Sequence, residues 1–202
     1  MLDAENLHKR YGQKHVLRGA SLRVQPGEQV AVLGENGAGK STLLRLLAGA
    51  ESPDRGRVRS RGTVGYCPQE PTLYGQLTID EHFRLFGAAY RLSTWDLHTR
   101  GEALIDRFAL ERHRRTPVEA LSGGTRQKVN LVVTLLRDPQ VLLLDEPYAG
   151  FDGEAYRQFI SWTDEARHRG RALVLITHLL LEQRRFDVAL QLRDGTLEAA
   201  DG

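Results

Sequence analysis

Alternating apolar and polar residues open the chain. Residues 2–8 and 16–24 alternate with the period of two that is typical of strands with one buried face, and Tyr11-Gly12-Gln13 lies between them. This pattern predicts an antiparallel pair of strands joined by a tight turn at the N terminus.

A different hydrophobic pattern follows. Residues 29–33, 141–144 and 172–176 are short apolar runs, which are typical of parallel strands covered on both faces, and residues 63–67 predict a further strand. Helical patterns separate these runs. The alternation predicts an α/β fold with a mainly parallel sheet.

Apolar residues at helical spacing predict five helices. Thr78 with Glu81 is a capping box that starts one of them, and Ser93 with Asp96 starts the next. Residues 72–120 therefore predict a mostly helical insertion, and Asp194-Gly195 predicts a hairpin turn. The predicted helices cover residues 39–48, 78–90, 93–109, 124–136 and 153–168.

Composition narrows the class of protein. The 202 residues suit one domain, and the net charge of +2 gives no strong nucleic-acid footprint. Cys67 has no possible disulfide partner within the chain and is expected to be a small buried side chain. The basic cluster over residues 107–115 predicts a solvated face, with contact to a partner or to acidic lipid headgroups as the alternative.

No apolar run reaches the ~20 residues that span a membrane, and charges interrupt the N terminus where a signal core would lie. We therefore expect the chain to be soluble on its own. Any role at a membrane would come through a partner.

A phosphate-binding loop follows the strand at 29–33. Its pattern is Gly-x-x-x-x-Gly-Lys-Ser, in which glycines turn backbone amides towards an anion and the following helix adds its positive N terminus. Lys40 would supply a charge to the β- and γ-phosphates, and Ser41 would ligate magnesium. The loop residues are Gly34, Glu35, Asn36, Gly37, Ala38, Gly39, Lys40 and Ser41.

Two acidic residues end the apolar strand at 141–144. Asp145 would hold magnesium, mostly through water, and Glu146 would face the attacking water as a general base. In isolation such a pair is often two solvated acids. Together with an intact phosphate loop, it predicts a nucleotide-hydrolysing site.

Leu121-Ser122-Gly123-Gly124 is a second phosphate-binding turn ahead of a helix. Ser122 can cap that helix, donate to a phosphate, or do both. One domain does not need two such turns for one triphosphate. We expect the second turn to serve a nucleotide that another copy of the chain holds.

In this order, the motifs resemble the nucleotide-binding subunit of an ABC transporter over nearly all of residues 2–197. The resemblance implies a P-loop NTPase core with N-terminal antiparallel strands and a helical insertion lobe. It implies a single domain over 1–202, with a core near 1–71 and 138–202 and a helical signature lobe near 72–137. Two such domains would pack head to tail, so that Ser122, Gly123 and Gly124 touch the γ-phosphate of the partner's ATP.

The resemblance assigns further residues. Tyr11 would stack on adenine, although a tyrosine beside a glycine is often only a turn residue, and Gln69 would contact magnesium and the attacking water. Asp152 would cross the dimer interface, a role compatible with capping the next helix. His178 would sense the γ-phosphate. The implied catalytic residues are Lys40, Gln69, Glu146 and His178. The implied magnesium ligands are Ser41, Gln69 and Asp145. The implied ATP-binding residues are those of both phosphate turns together with Tyr11, Thr42 and Asp152.

Two positions depart from the family pattern. Thr125 stands where the family often has glutamine, and Phe151 precedes Asp152 in place of the commoner residue. The first should be tolerated at the start of a helix. The second concerns the geometry of the dimer interface rather than nucleotide binding.

The resemblance implies an Mg²⁺-dependent ATP hydrolase that powers a separate membrane-spanning subunit by dimer closure. The chain resembles single-domain subunits of multidrug-type or other small-substrate exporters, although importers share the pattern. We expect a homodimer, no nucleic-acid partner, and a cytoplasmic position on the inner face of the membrane. The alternatives are a mechanical clamp on DNA or ribosomes, and a scaffold that does not hydrolyse ATP.

Overall fold

The computed structural model describes residues 1–177 and 185–200. The chain divides into two compact units. The first contains Met1–Tyr66, Pro139–Glu146 and the chain from Glu165 onwards, and the second contains Cys67–Asp138 and Pro147–Asp164. The second unit therefore includes a segment after Glu146 that the sequence-based division assigned to the core.

A three-stranded antiparallel sheet forms the N-terminal part of the first unit. Strands β1 (Leu2–Tyr11), β2 (Lys14–Val24) and β4 (Arg55–Ser60) lie in the order β2-β1-β4. The sequence predicted β1 and β2 as a pair, and their alternation buries side chains such as Leu2 and Ala4 on one face. Strand β4 was not predicted, because exposed arginines leave only one half-buried apolar residue in it.

A second sheet holds the buried apolar runs. Its strand order is β5-β6-β7-β3-β8-β9, with parallel pairing of β6 with β7, β7 with β3, and β3 with β8, and antiparallel pairing of β8 with β9. This arrangement confirms the predicted α/β fold class with a mainly parallel sheet. The strands are β3 (Gln29–Leu33), β5 (Val64–Cys67), β6 (Val141–Asp145), β7 (Ala172–Ile176), β8 (Val188–Arg193) and β9 (Thr196–Ala199).

This topology positions the chemistry of the first unit. Strands β3 and β6 both run parallel to β7, which lies between them, so their carboxyl ends share one edge of the sheet. Helix α1 (Lys40–Leu47) begins after β3 and buries Leu43, Leu44 and Leu46 in the core. The loop after β3 and the acidic end of β6 therefore open at the same edge, where ligands bind in open α/β sheets.

Three helices build most of the second unit, and α5 (Gly153–His168) begins in it and extends into the first. The three are α2 (Ile79–Ala89), α3 (Thr94–Arg107) and α4 (Gly123–Leu135). The predicted capping box at the start of α2 is present. The Glu81 amide donates to Thr78 Oγ1 over 3.3 Å, and the Thr78 amide donates to Glu81 Oε2 over 2.8 Å.

Arg114 joins the helices of the second unit. Its guanidinium lies 3.1 Å from Asp80 of α2, 2.8 Å from Glu102 of α3, and 3.2 Å from Glu111. The hydrogen bond to Glu102, followed by that to Asp80, raises the pKa of Arg114. The sequence predicted the basic cluster at 107–115 as a solvated face. One of its residues, Arg114, instead forms ion pairs that anchor the segment leading to Leu121.

Removal of the Thr78 hydroxyl tests the cap. Thr78→Ala should lower the free energy of unfolding by about 1 kcal/mol, because it leaves a helix N-terminal amide without its side-chain acceptor. Thr78→Ser keeps the hydroxyl and should stay close to the parent in urea titrations. Equal stability of the alanine and serine variants would contradict the role of the cap.

Candidate nucleotide site

The loop between β3 and α1 is shaped by glycine and closed by Lys40. Gly39 precedes α1 with a φ of 106°, and a Cβ atom there would lie 2.6 Å from Val16 Cγ1. Lys40 is 7% exposed, and its ammonium donates to the carbonyl oxygens of Gly34 over 2.7 Å and Glu35 over 3.0 Å. The positive charge is therefore held within the curve of the loop.

Asp145 connects the acidic strand to this loop. Asp145 is 2% exposed and is the last residue of β6, which packs against α1. Burial raises the pKa of Asp145, and the hydrogen bond from Ser41 acts in the opposite direction. Burial likewise lowers the pKa of Lys40, against the attraction of Glu146 and Asp145. Oxygen donors next to a buried cation and anion form a set that suits a phosphate-bound divalent metal.

Glu146 leaves β6 in an unusual backbone conformation. Its φ is 47°, and its amide donates to the Ile176 carbonyl over 3.2 Å. A left-handed conformation at a residue other than glycine costs on the order of 1 kcal/mol, and such strain is typical of functional sites. This turn redirects the backbone after Asp145. The side chains of Asp145 and Glu146 are therefore carried by residues of different backbone conformation, one extended and one left-handed.

Tyr11 is tied to α1 by a network that sequence reasoning missed. Its hydroxyl donates to Glu51 Oε2 over 2.5 Å, and Arg45 Nε donates to Glu51 Oε1 over 2.5 Å. Arg45 also donates to Thr42 Oγ1 over 3.1 Å. Hydrogen bonds from Tyr11 and then from Arg45 lower the pKa of Glu51. The predicted adenine-stacking residue is thus anchored to the helix that carries Lys40 and Ser41.

A cavity of about 530 Å³ borders the outer residues of the loop. It is lined by Glu35 to Ala38, by the start of β2 and by the β8–β9 hairpin. Lys14, Arg18 and Arg193 contribute positive charge to it, and Glu35 and Asp194 contribute negative charge. Because the cations outnumber the acidic residues, the lining beside the phosphate loop favours the approach of an anionic ligand.

The second unit carries the second predicted phosphate turn. Ser122 caps α4, and its Oγ accepts from the Thr125 amide over 3.2 Å and lies 2.9 Å from Thr125 Oγ1. A Cβ atom on Gly123 would meet nothing within 4 Å. Helices α1 and α4 lack an acidic residue in the first turn, whereas α2, α3 and α5 each have at least one. Both turns therefore leave a helix N terminus open to an added anion.

The structure informs the predictions for Asp152, Gln69 and His178 to different extents. Asp152 caps α5, where its Oδ1 accepts from the Ala155 amide over 2.8 Å, so the capping half of its prediction is present. Gln69 is exposed and follows Pro68, whose carbonyl accepts from Asn130 Nδ2 over 2.9 Å. His178 lies outside the described residues. The roles of these residues towards nucleotide stay predictions.

Fold and site together define a P-loop nucleotide-binding domain. Residues 17–149 match the family model described as ABC transporter, so the chain belongs to the ABC transporter family and is an ATP-binding ATPase of that family.

Named relatives support the assignment. The Nod factor export ATP-binding protein I of Ralstonia nicotianae is 34% identical over 100% of this chain, and the linearmycin resistance ATP-binding protein LnrL of Bacillus subtilis is 28% identical over 90%. This chain spans 67% and 62% of their respective lengths. A solved ATP-binding subunit of an ABC transporter is 32% identical, with a TM-score of 0.92 over 98% of this chain and 88% of that one.

Across residues 1–177 and 185–200, no helix combines the length and apolarity that a membrane crossing requires.

The buried carboxyl group of Asp145 should cost stability when no nucleotide is bound. The pKa of Asp145 in the folded protein is raised above the 3.8 of an ordinary aspartate, because burial disfavours the charged form. The free energy of unfolding therefore falls as the pH rises from below 3.8 through the folded-state pKa. Asp145→Asn should therefore raise the free energy of unfolding at pH 7, and the gain should shrink as the pH falls towards 4. Urea titrations of nucleotide-free protein measure both effects.

The matched control is Glu198→Gln, which neutralises an exposed carboxylate in β9. Its stability should follow the parent at both pH values. A less stable Asp145→Asn protein at pH 7 would show that the Asp145 charge is compensated in the folded state.

Proposed function

We propose that this chain is the ATP-hydrolysing subunit of an exporter, in which it powers a separate membrane-spanning partner by head-to-tail dimer closure. The observation that carries the proposal is the shared sheet edge, at which the phosphate loop after β3, with its buried Lys40, opens beside Asp145 at the end of β6. It brings a phosphate-binding helix start close to an acidic strand end, which supports a hydrolytic site at this edge.

Lys40 and the amides of the phosphate loop would bind the β- and γ-phosphates. Ser41, Gln69 and Asp145 would hold Mg²⁺, with Asp145 acting mostly through water. The oxygen chemistry of this set fits that ion. The ion would supply charge neutralisation on the phosphates.

Glu146 would accept a proton from the attacking water, and Gln69 would orient that water. Tyr11, held by Glu51, would stack on the adenine. His178 would contact the γ-phosphate. These groups would all come from one chain, and a second copy would cover the far side of the γ-phosphate.

The turn Ser122–Gly124 would supply that cover. Its helix N terminus carries no first-turn acid, and Gly123 faces open space in the chain. A second copy could place its γ-phosphate there, while Asp152 crosses the interface. Preorganised donors of this kind contribute roughly 10²–10³ in rate. The proposal therefore requires two copies, in a homodimer, for each complete site.

Export is proposed from the names of the relatives, which describe Nod factor export and linearmycin resistance. The subunit would then lie on the cytoplasmic face of the membrane, held there by its partner. Co-purification with a membrane protein of several apolar spans would support this part. Recovery of ribosomes or DNA instead would overturn it.

Glu146→Gln tests the hydrolytic part. The variant should bind ATP and accumulate as a dimer on gel filtration, with steady-state hydrolysis at least ~10²-fold slower, because the amide cannot accept the proton. Phosphate release and elution volume provide the two readouts.

Glu198→Gln serves again as the control and should hydrolyse ATP like the parent. Unchanged hydrolysis by Glu146→Gln would contradict the role of Glu146 as the general base. If the Glu146→Gln protein stays monomeric at saturating ATP, the shared site is wrong.

A further inference from the structure

Two glycines of the second unit meet backbone to backbone. A Cβ atom on Gly124 would lie 2.1 Å from the Gly150 carbonyl oxygen, and a Cβ atom on Gly150 would lie 3.4 Å from Gly124 Cα and from its amide nitrogen. The first distance leaves no space for any side chain. The N-terminal turn of α4 therefore rests directly on the loop at 147–152.

That loop is itself built onto α5. The Phe151 amide donates to the Tyr148 carbonyl over 3.0 Å, which closes a turn. The rings of Tyr148 and Phe151 pack against Phe159 at centroid distances of 5.8 and 6.4 Å. Asp152 then caps the helix. Aromatic packing and a cap at successive positions restrict the conformation of the loop.

Lys128 adds a second link from α4 to the loop. Its ammonium lies 6.0 Å from the centroid of the Phe151 ring, a cation–π distance. The hydrogen bond from Ala155 lowers the pKa of Asp152 most, and the charge of Lys128 acts in the same direction. The phenylalanine that departs from the family pattern thus faces a lysine of the helix that Ser122 caps.

We propose that the turn Ser122–Gly124 and the loop 147–152 form one preassembled interface element, in which Gly124 and Gly150 are positioning residues. This inference rests on the proposed trans site. The two glycines fix the distance between Ser122 and Asp152, so a second copy meets both groups in a set spacing.

The two adjacent glycines of the turn have separate roles. Gly124 lacks a side chain because its own loop occupies that space, whereas a Cβ atom added to Gly123 would meet nothing of the described chain within 4 Å. The requirement at Gly124 is therefore internal to one copy. The surface at Gly123 is left to the nucleotide of the second copy.

Gly150→Ala tests the element in the Glu146→Gln background. The added methyl group strains a residue with a φ of 77° and comes into van der Waals contact with Gly124 at 3.4 Å, so relief of the strain should shift the loop relative to α4. We expect the protein concentration for half-maximal ATP-dependent dimerisation to rise about tenfold. The affinity of the monomer for a fluorescent ADP analogue should stay unchanged, since the first unit holds that nucleotide.

Gly170→Ala is the matched control. Gly170 has a φ of 75°, and a Cβ atom added there would meet nothing within 4 Å, so the variant carries the same backbone strain without the contact. It should dimerise like its parent. If Gly170→Ala and Gly150→Ala weaken dimerisation equally, general backbone strain explains the loss and the proposal is wrong.

Phe151→Ala provides a second variant that introduces no backbone strain. It removes the ring that packs on Phe159 and lies under Lys128, so dimerisation should weaken in the same direction while the far-ultraviolet circular dichroism spectrum is retained. If Glu146→Gln itself fails to dimerise with ATP, the trans site is wrong. If it dimerises and neither Gly150→Ala nor Phe151→Ala changes that, only the preassembled element is wrong.

Discussion

The interaction of Asp145, the last residue of β6, with Lys40 and Ser41, the first residues of α1, joins the acidic strand to the phosphate loop. It depends on a parallel sheet that brings the ends of β3 and β6 to one edge, and on a glycine loop that returns the chain close to that edge. Lys40 donates hydrogen bonds to loop carbonyls and is attracted by the acidic Asp145 and Glu146. An anionic ligand with a divalent cation would complete this charge arrangement.

Burial at this site opposes stability. A carboxyl group that is 2% exposed, a buried ammonium and a left-handed Glu146 are all unfavourable in a nucleotide-free protein. The apolar core around the central strands compensates for them, with residues such as Leu43, Val174 and Ile176 fully buried. The site is thus prepared for its ligand at the expense of the free protein, as is common for catalytic centres.

Local signals made much of the fold predictable. The capping box at Thr78, the apolar strand at 141–144 and the phosphate loop each depend on neighbours within a few residues, and each was read from the sequence. Strand β4 escaped prediction because its arginines show no apolar alternation. The link from Tyr11 to Glu51 joins residues 40 positions apart, and that from Gly124 to Gly150 joins two glycines that sequence patterns alone cannot pair.

The central claim is that one copy holds the triphosphate while another completes its site, and mixing two inactive variants tests it most directly. Lys40→Met removes the phosphate-loop charge, and Ser122→Arg blocks the second phosphate turn. Each purified variant should lack ATPase activity, but their mixture should recover it, because a mixed dimer contains one site with both Lys40 and Ser122 intact. A mixture of folded variants no more active than its components would contradict the shared site.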